Sequence, residues 1–192
     1  QHLSHIDFLD DAIAQLDQQI AEQMRPFEAV IARWDSLPGI NRRIAEIVIA
    51  ELGPDLMPFE DAQHLASWAG MCPGNNESAG KRKSGKMRNG SPWLRRALVE
   101  AAQGAARTKN KYYQALYHRL AARRGKQRAL MAVGHSLLVT GFYLITRQTM
   151  YEDLGGNYFD ERDREAVKRR AVKRLEKLGY RVDLSPCAAA AG

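Results

Sequence analysis

The chain has 192 residues, of which 45% are apolar, and this composition excludes wholesale disorder. Cys72 and Cys187 are its two cysteines, too few for a disulfide scaffold or a zinc site. The net charge of +7 is unevenly spread: residues 1–40 hold seven acidic and two basic residues, whereas residues 78–128 hold fifteen Lys and Arg against one acid, Glu100. This concentration of positive charge predicts a polyanionic partner. No basic segment followed by an apolar core indicates a signal peptide, so we expect a cytoplasmic protein.

Residues 1–35 predict a coiled-coil arm. Apolar residues recur there at alternating spacings of three and four, as in a heptad seam. They are Ile6, Leu9, Ile13, Leu16 and Ile20. Pro26 predicts a kink or a break, because proline lacks the N–H that a helix interior needs. A long helix with a narrow apolar stripe needs a partner, either a second subunit or a neighbouring arm. We therefore expect a homo-oligomer formed through this helix.

Residues 36–52 predict two helices joined by a tight turn at Pro38-Gly39. The run Leu37-Pro38-Gly39-Ile40 resembles a helix-hairpin-helix, whose turn offers backbone N–H groups to a DNA phosphate without reading sequence. We therefore predict nucleic-acid contact at Gly39 and Ile40. Asn41 stands where the motif usually has a second glycine. The alternative is a plain helical hairpin that packs on itself.

Residues 71–91 predict a basic loop. Its first part, residues 72–80, is rich in turn-forming residues and predicts no regular element. The bases that follow are predicted to bind nucleic acid; they are Lys81, Arg82, Lys83, Lys86 and Arg88. Ser91 predicts the N-cap of the next helix, and Arg95 and Arg96 near the start of that helix are predicted to clamp phosphates. The alternative is a solvated basic face.

Residues 92–146 predict a series of helices. Residues 129–146 lack Asp, Glu, Lys and Arg but are only marginally long enough to span a bilayer, so we interpret them as a buried helix and expect no membrane contact. Residues 147–192 form a charged tail with ten bases and eight acids. In this tail we predict a helix over residues 165–178 and a brief strand over residues 180–184. The expected fold is mainly α: a helical DNA-binding domain with a helix-hairpin-helix-like unit and the N-terminal coiled-coil arm.

Three features in this order carry a resemblance to a known family. They are Leu37-Pro38-Gly39-Ile40, then Ala69-Gly70 before Pro73, then Ser78-Ala79-Gly80-Lys81 with Asn89-Gly90-Ser91-Pro92-Trp93-Leu94-Arg95-Arg96-Ala97-Leu98. The ordered set resembles the C-terminal domain of the DEDD-type insertion-sequence transposases, the family that also contains the Piv-type DNA invertases. The resemblance covers residues 36–146.

The resemblance implies an active site in two parts. A RuvC-like domain binds a divalent metal, expected to be Mg²⁺, through Asp and Glu residues. A helical arm links it to a second domain that supplies a nucleophilic serine, and Ser78 matches that serine. Because the first residues already match the linking helix, we expect the metal-binding domain to be absent from this chain. We accordingly expect no metal site here and no activity of the fragment alone. Some members are guided by a structured RNA, which makes such an RNA a candidate partner besides DNA.

The leading functional hypothesis is transposition or site-specific recombination, in which Ser78 attacks a DNA phosphodiester and holds a covalent phosphoserine during strand exchange. A serine hydroxyl is a weak nucleophile near neutral pH, so it needs a base or a metal and positive charge around the phosphorus. One alternative is a non-catalytic helix-hairpin-helix module that binds nucleic acid, and another is a scaffold protein built on the N-terminal seam. Ser84 is the rival nucleophile, Ser78 is alternatively a turn-forming serine, and His135 is expected to be a core histidine.

Overall fold

Helices joined by short connections, with one β-hairpin, make up the computed structural model, which describes residues 2–72, 76–78, 81–84 and 89–185, the two strands as backbone. In chain order the elements are α1 (His2–Met24), a 3₁₀ helix (Arg25–Phe27), α2 (Glu28–Asp35), α3 (Arg42–Leu52), α4 (Ala62–Trp68), β1 (Asn76–Ser78), β2 (Lys81–Ser84), α5 (Pro92–Arg107), α6 (Tyr112–Arg124), α7 (Lys126–Arg147), α8 (Tyr158–Arg162) and α9 (Arg164–Lys177). The predicted mainly α fold is confirmed.

The hairpin corrects the prediction that residues 72–80 form no regular element. β1 and β2 pair antiparallel, with Ser78 opposite Lys81, and only Ala79 and Gly80 connect them. The turn-forming composition correctly indicated a turn at the connection, but it gave no indication of the two short strands. A short two-stranded ribbon forms through backbone hydrogen bonds and does not need the apolar alternation from which strands are predicted.

Helices α5 and α7 form the centre of the core. Helix α7 packs against α2, α4, α5 and α6. By length and composition it is apolar enough to cross a membrane, but 50% of its most apolar window is buried inside the protein. Gly141 lets α7 approach α2, because a β carbon at this position would overlap the indole ring of Trp34, which is 1% exposed. The predicted buried helix is confirmed.

Side-chain caps begin several of these helices. Asp61 accepts a hydrogen bond from the N–H of His64 at 2.6 Å, and Ser91 caps α5 in the same way, as predicted. Asn41 is also a cap: its backbone is extended and its side-chain oxygen accepts the N–H of Ile44 at 2.9 Å. Asn41 therefore does not need the left-handed conformation of a second motif glycine.

The arm helix α1 contains no buried residue. It ends at Met24, and the 3₁₀ helix containing Pro26 follows, which confirms the predicted break. Leu9, Ile13 and Leu16 of the predicted seam are 45%, 53% and 57% exposed. The seam thus lies on the surface of the chain, and its pairing with another helix stays a prediction.

The segment after α7 folds back over the start of α6. One carboxylate oxygen of Asp153 accepts the N–H groups of Tyr112 at 3.3 Å and Gly155 at 2.8 Å, and the other accepts the hydroxyl of Tyr151 at 3.1 Å. The Tyr151 N–H in turn donates to the hydroxyl of Ser36 at 3.1 Å. Asp153 therefore caps α6 from 41 residues further along the chain, and the first part of the charged tail packs on the helical body.

The end of the described chain is partly as predicted. The helix expected over residues 165–178 forms as α9, and Gly179 follows it with a φ of 89°, a conformation that suits glycine at a helix end. The strand predicted over residues 180–184 is wrong, since irregular backbone occupies these positions. A single segment with no partner strand has nothing to pair its backbone groups with.

Candidate nucleic-acid interface

The segment that contains Ser78 leaves and re-enters the helical body at one place. Gly90 lies so close to the backbone of Ala69 and Gly70 that a β carbon would overlap the Ala69 carbonyl group. Met71, on the outgoing side, is 2% exposed. Both ends of the loop are therefore fixed against each other, and glycine at position 90 is what permits this contact.

Helix α7 supports the outgoing end of the loop. Gly134 leaves space for Met71, whose methyl carbon would lie 2.9 Å from a β carbon at this position. The sulfur of Cys72 lies 3.9 Å from Nδ1 of His135. Burial lowers the pKa of His135 below its ordinary value of 6.5, which keeps the imidazole neutral near pH 7. His135 is half-buried against the base of the loop.

Ser78 is the last residue of β1 and lies beside the connection to β2. The backbone pairing sets Lys81, the first base of the loop, directly opposite it. The rival nucleophile Ser84 pairs with Asn76 at the other end of the ribbon. The side chains of Ser78, Lys81, Arg82 and Lys83 lie outside the described residues, as do Lys86 and Arg88 entirely, and the predicted roles of all six stay predictions.

Arg95 and Arg96 are neighbours in sequence with different surroundings. Arg95 is half-buried, and its guanidinium donates a hydrogen bond to the carbonyl oxygen of Gly70 at 3.5 Å. It therefore braces the base of the basic loop, residues 71–91, which carries Ser78. Arg96 is exposed, because the next position on a helix points about 100° away. Of the two predicted phosphate clamps, Arg96 has the guanidinium that is open to a ligand.

An exposed tryptophan that the sequence analysis did not single out adjoins Arg96. Trp93 is 66% exposed in the first turn of α5. It lines a groove between α3 and α5, together with Ile47, Ala50, Glu51, Arg96, Ala97 and Glu100. The signal available in sequence was the helical position of Trp93, since it lies one residue before the buried Leu94 and so off the apolar face of α5.

The Pro38-Gly39 turn packs against α5. Gly39 has a φ of 84°, and a β carbon there would overlap the carbonyl oxygen of Ala101. Ile40 is 5% exposed, and its N–H already donates to the carbonyl oxygen of Leu37 at 3.1 Å. Close packing thus accounts for the glycine. The predicted phosphate contacts of Gly39 and Ile40 stay predictions, and the N–H of Ile40 has a partner within the turn.

The described residues offer no obvious metal site. Within residues 2–72 and 89–185, no group of three or more His, Cys, Asp or Glu side chains is arranged to hold a metal ion. Hard divalent cations such as Mg²⁺ need several oxygen ligands at close range. The described side chains therefore do not fit Mg²⁺.

Comparison with known proteins finds one similarity, in the central part of the chain. Residues 32–118 match the model of the Transposase IS116/IS110/IS902 family. The matched segment begins in α2, ends in α6 and contains the turn at Gly39, the β-hairpin and α5. No curated protein matches the chain. The match supports a transposase-family domain, a role in DNA transposition in general terms, and the DNA binding that such a role implies.

Proposed function

We propose that residues 36–146 are the serine-bearing C-terminal domain of a DEDD-type insertion-sequence transposase, with Ser78 as the nucleophile. The observation that carries this proposal is the family match, which spans Ser78 and both fixed ends of its loop. Ser78 lies at the connection of a ribbon whose base is closed by Gly90 and braced by Arg95. A reacting group at the connection of such a ribbon is carried by a segment whose two ends are fixed to the helical body.

The proposed step is a transesterification. The Ser78 oxygen forms a bond to the phosphorus of a DNA phosphodiester, and the bond from that phosphorus to one strand oxygen breaks. The serine proton passes to a proton acceptor outside residues 71–91, and the departing strand oxygen takes up a proton to become a hydroxyl. Lys81, Arg82 and Lys83 follow Ser78 closely in sequence and would offset the negative charge that develops on the phosphorus oxygens.

The partners of this reaction are part of the proposal. We place Mg²⁺ in a RuvC-like domain outside these 192 residues. DNA is the substrate, and a structured guide RNA is a candidate second partner. The exposed seam of α1 supports self-association through the arm, since an apolar stripe of this kind is stabilised by burial against another helix.

A covalent-adduct experiment tests the serine. The upstream coding region is fused back, element-end DNA, cognate RNA and Mg²⁺ are supplied, and protein–DNA adducts are separated on a denaturing gel. We expect an adduct with wild type and with Ser84→Ala, and none with Ser78→Ala, although that variant still binds DNA. Ser84→Ala is the matched control, because it removes the same hydroxyl from the other end of the ribbon.

Two outcomes contradict the assignment. Normal recombination by Ser78→Ala would remove Ser78 as the nucleophile. Absence of an adduct in every variant, with a folded metal-binding domain and intact salt-sensitive DNA binding, would favour the non-catalytic binding module. For such a module, a plot of the logarithm of the DNA-binding constant against the logarithm of the salt concentration falls with a slope close to the number of phosphates neutralised.

A further inference from the structure

Helix α9 carries a concentration of positive charge outside the basic loop. Over Arg164–Lys177 the sequence holds seven Lys and Arg but two acids, Glu165 and Glu176. The tail as a whole is nearly balanced because six of its acids fall within residues 152–165. The helix boundary therefore separates an acidic segment that packs on the body from a basic helix that follows it.

The bases of α9 are concentrated on one face. At 100° per residue, five of them fall within a sector of about 140°. They are Arg169, Arg170, Lys173, Arg174 and Lys177. Lys168 lies off this sector and pairs with Glu165 at 2.7 Å. Among the described side chains, Arg169, Lys173, Arg174 and Lys177 have no carboxylate oxygen within 4.0 Å.

Helix α9 is tethered to the body but not covered by it. Only Asp163 separates it from α8, and α8 is packed on α6 through aromatic contacts. The ring of Phe159 lies 5.1 Å from that of Tyr112 and 5.4 Å from the guanidinium carbon of Arg119. No residue of α9 is buried. The helix thus starts from a fixed point and has its basic face open to solvent.

We propose that α9 is a second nucleic-acid-binding element, which contacts the phosphates of a DNA duplex without reading its sequence. Arg169, Lys173 and Lys177 lie at successive spacings of four and span about 12 Å of helix axis, which corresponds to roughly three to four base-pair steps. The inference rests on the DNA binding of the transposase-family domain and not on the chemistry proposed for Ser78.

The composition of α9 favours a duplex over a lipid surface. Its apolar stripe consists of small or aliphatic residues and lacks the Trp and Phe that interfacial helices use to enter a bilayer. The stripe is Val167, Ala171 and Leu175, and Leu178 continues it directly after the helix. The duplex also matches the function supported for the central domain.

Fluorescence anisotropy with the full chain and a labelled 30-bp duplex, titrated over a range of NaCl concentrations, tests the element. The face variant is Arg169→Gln, Lys173→Gln and Lys177→Gln together. We expect its log–log salt slope to be less steep by about two to three, because about 0.9 of slope is lost per phosphate contact. Its affinity at low salt should fall at least tenfold. Gln keeps high helix propensity, which circular dichroism verifies.

The matched control removes three positive charges that lie outside the basic face. It combines Arg164→Gln, Lys168→Gln and Arg181→Gln. Arg164 and Lys168 lie outside the basic sector, and Arg181 lies beyond the helix. We expect the control to change the slope by less than one. Equal losses in both variants would overturn the proposal, because net charge alone would then explain binding. An unchanged DNA slope with lost binding to anionic phospholipid vesicles would also overturn it, in favour of a membrane helix. Failure of the Ser78 adduct leaves this result unaffected, since anisotropy reports binding without chemistry.

Discussion

The arm helix α1 and the core helix α5 both carry apolar residues at helical spacing, but in opposite surroundings. Leu94 and Leu98 of α5 are fully buried against the body. Leu9 and Ile13 of α1 are about half exposed, and no residue of α1 is buried. The two sequences predict the same kind of amphipathic helix. Periodicity therefore identifies the apolar face, whereas the partner of that face depends on contacts distant in sequence.

The difference also separates the sources of stability in the two regions. A helix in water gains most of its stability from packing of its apolar face. Helix α5 obtains this packing within the chain. Helix α1 has its seam exposed, and among the described side chains its one ion pair to the body joins Asp17 and Arg43 at 2.8 Å. An exposed pair of this kind contributes little. Within the described structure, α1 therefore gains less stability from packing than α5 does.

A leucine-to-alanine substitution in each of the two helices should give the largest difference in the free energy of unfolding. Leu98→Ala should lower the free energy of unfolding by about 2–5 kcal/mol, because it leaves a cavity in a closely packed core. Leu9→Ala should change it by less than about 0.5 kcal/mol in dilute protein. Urea unfolding at two protein concentrations measures both. If the arm self-associates, the loss caused by Leu9→Ala grows with concentration. Equal losses at low concentration would contradict the comparison.

Local signals in the sequence were sufficient to predict most of the helices. The cap at Ser91, the break at Pro26 and the charge-free stretch of α7 each act within a few residues of the element they define. The hairpin was missed, because its strands are too short and too polar to show alternation. The basic face of α9 was missed for another reason: averaging over the tail mixed it with the acids that precede it.

The candidate site was less predictable, since it depends on contacts between distant segments. Arg95 and Arg96 were indistinguishable in sequence, and only the position of Gly70 assigns one of them to the base of the loop. Gly39 matched a phosphate-binding turn, but the backbone of α5 already explains why a side chain is excluded there. Adjacent positions on a helix point in different directions, so a motif alone does not reveal which member meets a ligand.

Two glycines with the same φ distinguish two reasons for a glycine: close packing against a neighbouring helix and a backbone conformation that other residues rarely adopt. Gly39 and Gly125 both have a φ of 84°, but a β carbon would overlap Ala101 at the first and meet nothing within 4 Å at the second. Gly125→Ala should lower the free energy of unfolding by about 1–3 kcal/mol through backbone strain alone. Gly39→Ala should cost about 1–3 kcal/mol more, because the turn must move away from α5. Thermal and urea unfolding of both variants measures this difference. Equal costs would show that the turn has room against α5.

Two neighbouring arginines form ion pairs with different parts of the molecule. Arg42 joins two helices of the body, whereas Arg43 joins the body to the arm. Arg42 joins Glu28 of α2 at 2.6 Å and Glu46 of α3 at 2.9 Å, and Glu46 is 8% exposed, whereas Arg43 reaches the exposed Asp17 of α1. Arg42→Gln should lower the melting temperature by about 2–4 °C, since Glu46 loses its charged partner in a buried setting. Arg43→Gln should lower it by less than about 1 °C.

The acid dependence of stability gives a second measurement on the same pair of variants. The hydrogen bond from Arg42 lowers the pKa of Glu28 below its ordinary value of 4.5, so the contribution of this bridge is present above pH 4.5 and is lost as the pH falls through the lowered value. Arg42→Gln should therefore show a smaller decline in stability on acidification than wild type, and Arg43→Gln should retain the wild-type decline. A wild-type decline in both variants would mean that the bridge between Arg42 and Glu28 contributes no more to stability than the Arg43–Asp17 pair, whose side chains are exposed to a similar degree.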